Sequence, residues 1–128
     1  VRFVPSDHFT TILDQLGVSL LVSTYHAGKV VVIGTHASQL EISLHNFELA
    51  MGLALHPRKL AVGTRQEIWF LDSVSEVAPT LEPAGKYDAC LLARKAHFTG
   101  NIHGHELAFC GEELWVVNTL FSCLATLD

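Results

Sequence analysis

The sequence predicts an all-β domain, built of antiparallel blades of a partial β-propeller and preceded by one short N-terminal helix. Three observations predict it. The apolar period is two over most of the chain, and β-branched residues crowd those stretches. One strand pattern returns three times, as Leu20-x-Val22-x-Thr24, Leu60-x-Val62-x-Thr64 and Leu114-x-Val116-x-Asn118. The copies lie 40 and 54 residues apart, against about 40 to 50 residues for a propeller blade of three or four strands. A plain antiparallel meander also places apolar strands at such distances. A solenoid would need a shorter, stricter period.

The helix comes first, at about residues 7–16. Ser6 and Asp7 are capping residues, Phe9, Ile12, Leu13 and Leu16 fall on one stripe, and Gly17 supplies a left-handed stop. That stripe needs a β surface to cover. The first blade, about 18–44, holds a strand from Val18 to Tyr25, a turn at His26-Ala27-Gly28-Lys29, a strand from Val30 to Gly34, and an alternating strand from Gln39 to Leu44 with His45-Asn46 as its turn. The second, about 51–73, holds Met51 to His56, Leu60 to Thr64 and Ile68 to Asp72, punctuated by Pro57 and Arg65-Gln66-Glu67. The third, about 105–128, begins with Leu107-Ala108-Phe109, which matches Leu53-Ala54-Leu55, and ends in Leu127-Asp128 as the second ends in Leu71-Asp72. Trp69 and Trp115 sit at strand positions where a large ring fills the layer between blades.

The longer second interval leaves an inserted loop at 74–104, opening with Pro79 and Pro83-Ala84-Gly85. Long loops in compact domains carry function or are disordered, and the apolar and aromatic content here favours function. Between Tyr87 and Glu106 the chain gathers His97, His103, His105, Asp88, Glu106, Arg94 and Cys90.

At 128 residues the chain has room for one core. A net charge of −5 disfavours nucleic acid as partner, and no basic run marks an anionic membrane surface. Although 49% of residues are hydrophobic, none of the stretches approaches the roughly 20 residues of a membrane span. Cys90, Cys110 and Cys123 form an odd set without CxxC spacing. Reduced, buried thiols and a cytoplasmic setting are the expectation.

Several strings resemble a known family: Ser19-Leu20-Leu21-Val22-Ser23-Thr24-Tyr25 with Gly28-Lys29, Met51-Gly52-Leu53-Ala54, Gly63-Thr64-Arg65 with Ile68-Trp69, Tyr87-Asp88-Ala89, Thr99-Gly100 with His103, and Val117-Asn118-Thr119-Leu120-Phe121-Ser122-Cys123-Leu124. The family is an uncharacterised bacterial one of conserved hypothetical proteins, a domain of unknown function sometimes joined to tetratricopeptide repeats. Its members are longer, so the resemblance implies that this chain is an N-terminal portion whose remaining blades lie elsewhere. It implies no activity. Ala93 stands where the family pattern has proline before Arg94, which implies a less rigid loop.

Two functions follow from the residues. The first is a ligand- or partner-binding module for a small molecule or a protein, with Asp88, Arg94, His97 and Asn101 as ligand-binding residues. Arg94 offers a fork suited to carboxylate or phosphate, and Thr99-Gly100-Asn101 forms a turn beside it. The second is a metal-dependent hydrolase or lyase holding a divalent metal such as zinc on His103, His105 and Glu106. On an extended segment the two imidazoles would share a face roughly 7 Å apart. No Gly-rich phosphate loop, GxSxG elbow or HExxH is present. Because a few blades cannot close a ring, uncovered strand edges require further blades or self-association.

Overall fold

The computed structural model describes residues 3–127. Its one α-helix, α1 (Phe9–Leu16), precedes ten strands. Gly17 ends the helix at φ +60°, its amide bonding back to the last turn. His8 rather than Ser6 or Asp7 stands at the helix start, and no side chain caps it. Locally, the Ser6 carbonyl takes the Phe9 amide as a backbone turn, which puts the start of the helix past Ser6 and Asp7.

Sheet 1 is the antiparallel meander β1 (Leu20–Thr24), β2 (Lys29–His36) and β3 (Gln39–Asn46). β3 runs through His45 and Asn46, which the sequence placed in a turn; they pair with Val30 and Lys29, and Lys29 holds the Asn46 side chain. Sheet 2 contains β4 (Leu53–His56), β5 (Lys59–Gly63), β6 (Glu67–Ser73) and β7 (Leu91–Phe98). Sheet 3 contains β8 (Gly104–Cys110), β9 (Glu113–Asn118) and β10 (Cys123–Thr126), with β9 in the middle. The stretch 74–104 is therefore not all loop: after a 3-10 turn at Ala78–Thr80 it delivers β7, a fourth strand on β6.

Side-chain alternation makes sheet 2 the middle layer. Leu60 and Val62 on one of its faces pack with Val30 and Ala50, joined by Leu21, Leu53, Trp69 and Leu71. Ala54, Ala61, Ile68 and Phe70 on the other face pack with Leu107, Leu114 and Val116 of sheet 3. Both junctions are apolar layers between strands, so the core is two seams and not one central knot. The small residues on one side of the second seam bring backbones close: a Cβ on Gly52 would stand 3.0 Å from the Leu107 amide nitrogen.

Helix α1 buries only Leu13 fully and lies against β2. Its Asp14 carboxylate accepts hydrogen bonds from Thr35 and Ser38 at 3.1 and 3.0 Å. Ile12 and Leu16, expected to complete the packed stripe, stay exposed. Trp69 fills the first seam as expected, but Trp115 lies on the open face of sheet 3, where no described layer covers it. All three cysteines are free; Cys110 and Cys123 are exposed rather than buried, because both stand at ends of sheet 3. Among the described residues no helix is long and apolar enough to cross a membrane.

At the far end of the sheets, opposite the Thr64 and Asn118 strand ends, Glu112 of the β8–β9 turn takes Arg58 and Lys59 from the β4–β5 turn, with the Lys59 ammonium at 3.0 Å. Those hydrogen bonds, Lys59 first, hold its carboxyl below the ordinary value of 4.5. A carboxyl depressed by folding contributes stability above its unfolded pKa and loses it as pH falls through the folded one. Glu112→Gln is expected to lower Tm slightly at neutral pH, with a deficit that shrinks once pH drops below 4.5. A Tm series against pH checks this, and a deficit that persists into strong acid would place the effect in packing.

Candidate functional site

Four loops meet at one end of the sheets. The turn after β1 brings Tyr25 and His26, the turn after β5 brings Arg65, the link before β4 brings Leu49 and Met51, and the link before β8 brings Asn101 and His103. Tyr25, Leu49, Met51, Arg65, Asn101 and His103 line a cleft of about 230 Å³. The loop bearing Arg65 ends β5, whose Leu60, Ala61, Val62 and Gly63 are all buried, so that wall of the cleft stands on the rigid part of the fold.

Two backbone outliers shape it. Leu49 and His103 adopt φ of +48° and +49°, a left-handed conformation that costs a side-chain-bearing residue about 1–3 kcal/mol. They hold equivalent places just ahead of β4 and β8. At His103 the turn is tight enough that the His105 amide donates to the His103 carbonyl at 2.9 Å, and the carbonyl also receives the Thr119 amide at 3.3 Å. His105 is then the extra residue where the β8–β9 register shifts between Gly104 and Glu106.

This geometry corrects the reading of His103 and His105 as two neighbours on an extended strand. His103 lies before the strand and His105 in a bulge, yet their rings still come together, with centroids 6.2 Å apart and planes tilted by 55°. His105 in turn stacks on Tyr25, 6.2 Å away and 20° from parallel, and Tyr25 meets His26 edge-on at 5.1 Å. The result is a strip of four aromatic rings drawn from sheets 1 and 3. Arg65 stands beside it with its guanidinium 3.4 Å from the Glu48 carboxylate, both exposed. An exposed pair at that distance is weak and open to exchange for another carboxylate.

The remaining expected residues do not join them. Arg94 and His97 lie on β7, the outermost strand of sheet 2, and both are exposed. His97 pairs with Ile68, and Arg94 occupies the register break opposite Phe70 and Leu71. Asp88 is exposed in the irregular segment before β7. Of the ligand-binding set only Asn101 reaches the cleft. Glu106 pairs with Val117 inside sheet 3 and is exposed. Among the described residues no group of three or more His, Cys, Asp or Glu side chains is close enough to hold a metal ion, so the set His103, His105 and Glu106 is not assembled.

A family model for a domain of unknown function, DUF4915, matches residues 7–128. The chain belongs to that family. The match takes in every described strand and therefore all four cleft loops. No curated protein and no solved structure matches the chain.

Tyr25 and Arg65 escaped the sequence reading because neither stands near His97, His103 or His105 in the chain. A usable signal was nevertheless there. Each is the residue directly after a Leu-x-Val-x-Thr strand, so superposing the copies puts both at one rim. A second, larger groove of about 510 Å³ runs between Asn46–Glu48 and the β6–β7 side, floored by Trp69 and Phe47 in edge-on contact at 6.2 Å. Its charged lining residues, Glu48 and Glu67, are both acidic.

Proposed function

We propose that the three sheets are consecutive blades of a β-propeller and that the domain is a binding module, with its ligand at the rim cleft. The stacking of three meanders through two apolar seams supports the blade reading, as do the equivalent left-handed turns at Leu49 and His103. The observation that carries the binding reading is convergence: four loops from separated parts of the chain place Tyr25, Leu49 with Met51, Arg65, and Asn101 with His103 around one cleft. The ligand class is a small planar carboxylate. Its ring stacks on the Tyr25–His105–His103 strip, its carboxylate replaces Glu48 on Arg65, and Asn101 supplies a further polar contact. Three free thiols support a reducing, cytoplasmic setting.

Benzoate and acetate test this as a matched pair in an amide NMR titration. Benzoate is expected to shift resonances of Tyr25, Arg65, Asn101 and His103, acetate to shift them less, and Arg65→Ala to weaken benzoate binding about tenfold, the loss of one charge-assisted contact. Shifts confined to Phe47, Trp69 and Ala93 would move the site to the larger groove. No shift with either anion would overturn the ligand class.

A further inference from the structure

The middle sheet shows what a complete unit contains, and sheet 1 lacks part of it. In sheet 2, β5 is flanked by β4 and β6; in sheet 3, β9 is flanked by β8 and β10. β1 carries the same Leu-x-Val-x-Thr pattern as β5 but among the described residues has a neighbour on one side only, β2. Its other edge is open.

Burial across the two seams locates the missing piece. Phe109 on β8 is partly buried under two groups of the sheet before it: the His56 ring of β4 lies 5.3 Å from the Phe109 ring, and the Lys59 ammonium of β5 lies 5.2 Å over it. Leu55 is the equivalent residue on β4, facing sheet 1, and it is 70% exposed. Nothing in sheet 1 stands where His56 stands in sheet 2. The strand that would cover Leu55 is the strand that would pair with β1.

The chain just ahead of β1 does not provide it. In the other two sheets the first strand directly precedes the second through a tight turn, β4 to β5 and β8 to β9. Ahead of β1 the chain is helical, α1 is stopped by Gly17, and Asp14 fastens it to Thr35 and Ser38 at the β2–β3 turn.

We propose that the open edge of β1 is an acceptor site for one extended strand, antiparallel to β1 and contributed from outside residues 3–127. Its chemistry is that of β4 and β8: a central Leu-Ala-Leu or Leu-Ala-Phe followed by a ring such as His56, the ring covering Leu55 as His56 covers Phe109. Main-chain hydrogen bonds to β1 supply affinity and alternate side chains supply choice, as in other strand additions. The inference rests on the blade reading and not on the rim ligand.

A copy of residues 51–58 joined to the N-terminus of the 128-residue chain through a flexible Gly/Ser linker of about 15 residues tests it. Hydrogen exchange is expected to slow about tenfold or more at the β1 amides facing away from β2, and Tm to rise. A control carries Leu→Asn at both leucines of the appended copy, leaving the domain's own Leu53 and Leu55 intact, and should do neither. Equal protection by the control, or no protection by the true copy, overturns the proposal. So does protection of those amides in the unmodified chain that is lost on dilution, since the occupant would then be β1 of a second copy. The readout is confined to β1, so a failed benzoate titration and a failed strand addition remain separate results.

Discussion

Ile68→Ala is expected to lower the unfolding free energy by about 3 kcal/mol, within the 2–5 kcal/mol that large buried aliphatics cost on truncation to Ala. Ile68 is 2% exposed and sits in the seam between sheets 2 and 3 with Leu107, Leu114 and Val116. Both sides of that seam are pinned by β-ladders, so the cavity cannot close by a small shift of one side chain. A domain of this size has about 5–15 kcal/mol in all, so a loss of that order removes a large fraction of it. Urea unfolding checks the value, with an unchanged slope showing that the native surface is intact. Leu55→Ala is the paired control: at 70% exposure its change should stay within about 0.5 kcal/mol.

The same two residues explain how much of the fold could be read in advance. Strands such as Leu60–Gly63 and Leu114–Asn118 were legible as short apolar runs bounded by turn residues; the first is buried on both faces and the second at alternate residues. β7 was not legible. Its Ala93-Arg94-Lys95-Ala96-His97 run is polar, exposed along almost its whole length and broken by a register shift, and charged residues on an outermost strand discourage further pairing. A segment with one partner and no buried face leaves no period to find. Leu55 and Trp115 look like core residues by type; their exposure depends on which layers stand beside them, which local sequence does not encode.

The site divides along the same line. His103, His105 and Asn101 were visible as a local cluster, since they lie within five positions of one another. Arg94 and His97 belonged to the same cluster in the chain but were carried away on β7, because an added strand takes its side chains with it. Tyr25 and Arg65 entered through tertiary convergence instead. Proximity in sequence was a fair guide only as far as the next strand boundary.

Gly52→Ala is expected to destabilise the domain by about 1–3 kcal/mol, the range for overpacking a tight junction, and to disturb the cleft as well. A Cβ at Gly52 would stand 2.8 Å from the Leu107 side chain, 3.0 Å from the Leu107 amide nitrogen and 3.1 Å from the Glu106 carbonyl carbon. The first neighbour can rotate; the other two are backbone and cannot. The reduced entropy of the unfolded chain, worth about 0.4–1 kcal/mol in favour of alanine, is smaller than the clash. Relief therefore requires β4 and β8 to part at this point. That movement acts on Gly104, whose carbonyl accepts the Gly52 amide at 3.4 Å across the seam, and Gly104 lies between His103 and His105. Chemical shifts of both histidine rings should move in Gly52→Ala while those of Phe47 and Trp69 stay in place. Adding Leu107→Ala should not restore stability, because the backbone contacts remain and a cavity is added. A double variant as stable as the wild type would show that the Leu107 side chain alone sets the spacing between the sheets.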